Sequence, residues 1–215
     1  MTAPTARPAR PGRPAKRTAI DCAARAVFGR EGYIRASMDS IAAEAGVSKR
    51  TIYNHFQDKE QLLLSVLQES TQAVAAHQED LIDRHLTVPA DLKAELMALG
   101  RALAAPQSGF EEHFALVRVI FAEASRLPAE VTGSWRSEGP RRTQVRLARH
   151  FTALTAAGRL HTENPQEAAA HFTQLAMSEA YERSFHGAIP LPPGELDALV
   201  ASGVNAFLRL YGTGD

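Results

Sequence analysis

The sequence predicts an all-α fold in two parts, a three-helix N-terminal domain containing a helix-turn-helix and a larger helical domain behind it. Three observations carry this. Apolar residues recur at helical spacing from Lys16 onward. Strand-length alternation of Val, Ile and Thr is absent. The breaks between periodic segments hold Pro89, Pro106, Gly109, Pro128, Gly158, Pro165, Gly187, Pro190, Pro192 and Pro193, the residues that end helices.

Residues 1–15 contain Pro4, Pro8, Pro11, Pro14 and Gly12 and few apolar side chains, so they read as a flexible basic arm. The first helix spans about 16–30, with Ile20, Ala24, Val27 and Phe28 on one stripe and Gly32 after its end. Two short helices follow over about 37–45 and 48–55, and a longer one opens at Asp58. Later helices are predicted over 90–105, 110–126, 129–158, 165–186 and 194–211, the third carrying Gly139-Pro140 inside it.

Hydrophobic residues make up 45% of the 215 residues and charged residues 22%, which suits a globular chain with a real core. The formal charge is zero but unevenly placed: residues 1–60 hold 11 Lys/Arg against 6 Asp/Glu, and residues 61–215 hold 13 against 18. A basic head on an acidic body points to a polyanionic partner for the head. The lone Cys22 excludes an internal disulfide framework. Prolines rather than an apolar run follow Arg7, Arg10 and Arg13, and no 18-residue apolar stretch occurs. A cytoplasmic protein without a membrane partner is expected.

The segment from Ile41 to Tyr53 is the most informative. Gly46 stands where a helix must end in a left-handed turn. Ser48 is a good N-cap, and Val47 and Ile52 have the spacing of a hydrophobic staple. Ala42 and Ala45 let two helices cross closely. On the second short helix Ile52 and Phe56 point inward, while Lys49, Arg50, Tyr53 and Asn54 take the other face and can offer charge and hydrogen bonds to a major groove. Such a face also suits a plain solvated helix. Asp58 and Gln61 have capping-box spacing, and Lys59 puts a cation in a first turn, where the helix dipole disfavours it unless a phosphate is present.

Residues 16–62 resemble the DNA-binding domain of the TetR family of transcriptional regulators. The resemblance rests on Phe28 and Gly32, on Ile41-Ala42 and Ala45-Gly46-Val47-Ser48, on Thr51-Ile52-Tyr53-Asn54-His55-Phe56, and on Lys59-Glu60 with Leu62-Leu63. It implies that Lys49, Arg50 and Tyr53 face bases or nearby phosphates, that Thr51, His55 and Lys59 grip the backbone, and that Ser37 reaches a phosphate. The candidate DNA-contact set is thus Ser37, Ser48, Lys49, Arg50, Thr51, Tyr53, Asn54, His55 and Lys59. Asp39 departs from the family's polar or basic preference and would repel a phosphate. Arg10-Pro11-Gly12-Arg13-Pro14 is similar to an AT-hook core interrupted by Pro11; it suits a minor groove or a solubilising tail equally.

Residues 63–215 form the expected effector-binding and dimerisation domain. Phe114, Val117, Phe121, Glu123-Ala124, Arg126-Leu127-Pro128, Gly158-Arg159-Leu160 and Ala169, Phe172 and Leu175 resemble AefR-like C-terminal domains. The family fold implies a pocket among the middle helices and a two-fold pairing of the last two. Candidate walls are Phe110, His113, Phe114, Val117, Phe121, Trp135, Phe151, Met177 and Tyr181. Candidate dimer residues are Phe172, Leu175, Ala176, Leu199, Val200, Gly203, Val204 and Phe207. For any one residue of either set, ordinary core is the commoner reading. The implied partners are double-stranded operator DNA, a second copy of the chain and a small, largely apolar effector whose binding releases the DNA by population shift.

Enzyme chemistry finds no support: there is no His-Glu-x-x-His, Glu-x-x-His, Walker loop or Gly-x-Gly-x-x-Gly, and no cofactor is implied. Eight histidines are scattered, and His186 four after Glu182 reads as a surface pair.

Overall fold

The structure, a computed structural model, describes residues 13–87 and 89–213. Most of the arm, including Arg10-Pro11-Gly12, lies outside the described residues. The helices are α1 (Arg13–Glu31), α2 (Met38–Glu44), α3 (Lys49–Tyr53), α4 (Lys59–Leu86), α5 (Leu92–Ala104), α6 (Glu111–Glu123), α7 (Ala129–Glu138), α8 (Pro140–Ala156), α9 (Pro165–Arg183) and α10 (Glu195–Tyr211). Among the described residues the only extended pairing is an isolated bridge between Leu160 and Gly212. The fold is all-α, and no described helix is long and apolar enough to cross a membrane.

Two boundaries differ from the sequence reading. α1 begins at Arg13 rather than near Lys16, because Pro14 sits in the first turn, where its missing N–H has no intrahelical role. The long helix expected over 129–158 is two helices: Gly139 takes φ −111° and ψ −94°, and Pro140 starts the next helix at N1. A side chain at Gly139 would also meet the Thr71 methyl at 2.9 Å, so the break lets α7 and α8 lie against α4.

The apolar side chains form two cores. The head core joins Ile20, Val27 and Phe28 of α1, Ile41, Ile52 and Phe56 around the short helices, and Leu62, Leu63, Val66 and Leu67 of α4. Leu116 and Ile120 of α6, with Leu127 and Val131, complete it from the body side. The body core contains Ile82, Leu96, Leu99, Leu103, Leu147, Phe151, Phe172, Val204 and Phe207. α4 runs through both, and its outer half is tied to α8 by an ion ladder. Arg142 grips Glu79 with bonds of 2.6 and 2.8 Å, and Asp83 accepts from Arg146 and pairs with His150 at 2.8 Å. The Arg146 guanidinium foremost, with the bond to His150, holds the Asp83 carboxyl down at about 2.

The last two helices correct the reading of the dimer residues. Phe172, Ala176, Val200, Gly203, Val204 and Phe207 are buried within the subunit's own core. Phe151, Phe172 and Phe207 meet there as one aromatic cluster, and none of these six residues faces outward. Leu175 keeps 37% exposure and Leu199 is half-buried. α9 and α10 cross so closely that a Cβ on Gly203 would lie 1.9 Å from the Leu175 carbonyl oxygen. Gly203→Ala is therefore expected to force the pair apart and cost about 2–3 kcal/mol. The helical Gly133, with nothing within 4 Å of an added Cβ, should accept alanine at no cost or with a gain of ~0.5–1 kcal/mol. Denaturant unfolding of the two variants checks this; equal stabilities would contradict the close crossing.

Candidate functional site

The helix-turn-helix is built by local hydrogen bonding. Ser37 caps α2 by accepting from the Ser40 N–H at 3.0 Å, and Ser40 Oγ accepts from the Ser37 N–H at 3.1 Å, a reciprocal capping box. At the other end Gly46 takes φ +64°, Val47 N–H donates to Ala42 O at 3.0 Å and Gly46 N–H to Ala43 O at 3.2 Å, the bond pair of a Schellman turn. Ser48 then caps α3, accepting from Thr51 N–H at 3.2 Å, with the two hydroxyls 2.8 Å apart. Val47 packs on the head core beside the fully buried Ile52, which fixes how α3 leaves the turn.

α3 consequently turns Ser48, Lys49, Arg50, Tyr53 and Asn54 outward, with Thr51 and His55 half-buried beside them. Tyr53 is 47% exposed, a large ring on the outer face of α3. Ser37 is exposed at the start of α2, its oxygen engaged in the cap. Lys49 Nζ donates to Asp39 at 2.8 Å, which raises the ammonium's pKa. Asp39, read as a misfit for a phosphate contact, thus holds the lysine across the two short helices. Lys16, which the sequence reading passed over, lines a shallow concavity with Thr51, Asn54 and His55; its distance along the chain left no signal.

Lys59 is placed differently from its reading as a backbone grip. Its ammonium donates to Tyr33 O at 2.8 Å and Ala36 O at 2.9 Å and lies 4.4 Å over the Tyr33 ring. The cation in the first turn of α4 is explained by these carbonyls: it braces the α1–α2 connection. Asp58 caps α4 through Gln61 N–H at 2.8 Å, while Gln61 returns its bond to Gln57 N–H at 2.7 Å, one residue before the cap.

The second feature is a cavity of about 500 Å³ among α4 to α9. Of the candidate wall residues it brings together His113, Phe114, Val117, Phe121, Trp135, Met177 and Tyr181. It leaves out Phe110, which packs against His77 with ring centroids 5.5 Å apart, and Phe151, which is fully buried in the body core. Sequence reading missed the polar walls, among them Thr71, Gln78, Thr143, Gln144, Gln174 and His186. A helix's polar positions carry no periodic mark that separates a cavity wall from a solvated face.

His186 owes its place to unusual backbone. After α9, Phe185 and His186 take φ of 48° and 52°, a left-handed pair of non-glycine residues. The turn is held by His186 N–H to Tyr181 O at 2.7 Å and Ile189 N–H to Ser184 O at 2.9 Å. It lays the imidazole between Phe121, at 4.8 Å, and Tyr181, at 5.6 Å, as a stacked belt. Burial pushes the Tyr181 phenol up, and its hydroxyl donates to Leu103 O at 2.8 Å. Burial also pushes the His113 imidazole down to about 4.

Comparison with known proteins identifies the family. The profile of the tetR family of bacterial regulatory proteins matches residues 22–66, and that of the AefR-like transcriptional repressor C-terminal domain matches residues 94–213. The chain belongs to the TetR family. A TetR-family regulator from Mesorhizobium loti superposes with a TM-score of 0.81 at 31% identity, covering 94% of this chain and all of that one. The Flavonoid-responsive Regulator FrrA superposes at 0.64 with 29% identity, covering 93% of this chain and 98% of its own. The transcriptional regulator BetI of Rhizobium meliloti is 28% identical over 209 residues, 93% of this chain and 92% of BetI. Membership makes the chain a DNA-binding transcriptional regulator of the ligand-responsive TetR type and not an enzyme.

His113 gives the site a pH signature. As pH falls from 6.5 towards 4, the unfolded chain binds a proton that the buried imidazole refuses. This group therefore lowers stability by about 1.4 kcal/mol for each pH unit in that window, levelling off below it. His113→Phe should lose that slope, so the stability difference between wild type and variant should move in the variant's favour as pH falls. Unfolding curves at several pH values check it, and a difference independent of pH would contradict the neutral buried imidazole.

Proposed function

We propose that this chain is a repressor that binds a pseudo-palindromic operator as a homodimer and leaves it when a small, largely apolar effector fills the cavity. The observation that carries the reading is the double role of α6. One side of the helix supplies Leu116 and Ile120 to the head core, and the other supplies His113, Phe114, Val117 and Phe121 to the cavity wall. An occupant that favours one placement of α6 acts on the head directly.

The outward set Ser48, Lys49, Arg50, Thr51, Tyr53, Asn54 and His55 is the surface we assign to the major groove, with Ser37 at its margin. Lys59 serves as the brace behind it. The repressor sense follows the description of the matching C-terminal profile. A small aromatic effector is favoured by the apolar walls and by the flavonoid response in the name of FrrA. One such head grips little DNA, and two related by symmetry read a two-fold site. For the dimer we assign the outward face of the last helix pair, Leu175 with Leu199, Ser202, Ala206 and Leu210, which share a stripe on α10 at helical spacing.

The test is binding of the purified protein to the duplex upstream of its own coding sequence against random duplex. Lys49 and Arg50 from each subunit imply that affinity drops about a hundredfold when salt rises from about 50 to 200 mM. Tyr53→Ala should weaken specific binding at least about tenfold and leave the melting temperature unchanged, since its ring is half exposed. Affinity equal to that for random DNA, or full affinity in the Tyr53 variant, would overturn the assignment.

A further inference from the structure

The cavity's polar groups specify more than an apolar occupant. Among the described residues that line it there is no Lys or Arg, and the single carboxylate, Glu182, stands at the exposed rim. An anion entering it would lose its hydration without gaining a cationic partner. Most wall hydroxyls are already committed: Tyr181 to Leu103 O at 2.8 Å, Thr143 to Gln78 Oε1 at 2.8 Å, and Thr173 to Ala169 O at 3.0 Å.

Two groups at the junction of α4 and α6 are not committed. Thr71 is 1% exposed, and its Oγ1 has no hydrogen-bond partner among the described residues. His113 is 5% exposed, and among the described residues its ring bonds through Nδ1 alone, 3.1 Å from Ser70 Oγ. Ser70 has a single hydroxyl proton, which it gives to Leu67 O at 3.1 Å. With the proton on that bond, Ser70 accepts from His113 Nδ1–H. A neutral imidazole carries one N–H, so Nε2 is left as a bare lone pair on a ring that forms part of the cavity wall. A buried hydroxyl without a partner is costly unless an occupant completes it, and a lone pair on the cavity wall is open to the same occupant.

We propose that the effector is an uncharged aromatic molecule bearing an O–H or N–H donor, with the donor bonded to His113 Nε2 beside Thr71 Oγ1 and the ring lying against the Trp135–Phe121–His186 belt. This rests on reading the cavity as the effector site. The belt fits a flat ring: Phe121 meets Trp135 edge-on at 5.4 Å and stacks on His186 at 4.8 Å.

Trp135 is the sole tryptophan and lines the cavity, so its fluorescence reports an occupant. The probes are para-phenylphenol, its methyl ether and para-phenylbenzoate, near neutral pH. The phenol should quench Trp135 and bind at least about tenfold more tightly than the ether, with the benzoate weakest. His113→Phe should bring the phenol towards the ether's affinity and leave the ether unchanged, while the near-isosteric Thr71→Val removes a hydroxyl that either ligand's oxygen can accept from and should weaken both. If the histidine variant does not fold, the phenol-to-ether ratio in the wild type still decides the donor assignment. An ether as tight as the phenol, or a benzoate tighter than both, overturns the donor assignment while leaving the cavity as effector site. No quenching by any of the three overturns both.

Discussion

The crossing of α1 over α6 is the contact on which the rest of the arrangement depends. Gly29 has no side chain where a Cβ would stand 2.9 Å from that of Ala115, so the helices meet nearly backbone to backbone. At the end of α6, Glu123 accepts the Ile34 N–H at 3.1 Å and fills the space over Gly32, whose φ of +80° also demands glycine. Leu116 and Ile120 then reach into the head and close a core that α1 to α4 leave open on that side. A head of three helices, two of them only 7 and 5 residues long, has little apolar area of its own, and below a certain size such units are marginal. Here the body supplies the missing wall.

α4 makes the second connection. It enters the head core with Leu62, Leu63, Val66 and Leu67, bonds His113 through Ser70, presents Thr71 at the cavity, and ends in the ladder to α8. The α3 surface is therefore not carried on a flexible tether. Its placement is set by two helices that both border the cavity, and any shift of either is felt at the turn around Gly46. The left-handed pair Phe185-His186 belongs to the same region: about 1 kcal/mol or more of backbone strain is retained at each residue because the turn bonds and ring stacking over-determine them.

Most of the helical order was legible in the sequence because helix ends are local events. Gly46, Ser48, Asp58 and the proline-rich breaks mark them through backbone geometry that needs no distant partner. The outward face of α3 was legible for the same reason, since Ile52 and Phe56 fix which side is buried. Lys59 and Phe151 show the limit. A lysine in a first turn looks like a phosphate ligand until Tyr33 O and Ala36 O are known to lie beside it. A phenylalanine on an apolar stripe reads alike whether it borders a cavity or fills a core. Phe172, Val204 and Phe207 were ambiguous in the same way, and the packing of α9 on α10 decided them. The acceptor at His113 depends on Ser70, 43 residues away, and on one proton, which no pattern along the chain records.

Joined at α1–α6, head and body should unfold as one cooperative unit. The most direct test is guanidinium unfolding of the full chain at fixed protein concentration, followed together by Trp135 fluorescence at the junction and by amide exchange at Ile52 and Phe56. One shared midpoint, with these amides exchanging only as the whole chain unfolds, is the predicted result. Exchange of the α3 region at clearly lower denaturant than the Trp135 transition would mean that the head opens by itself, and the account of α6 as a shared wall would be wrong.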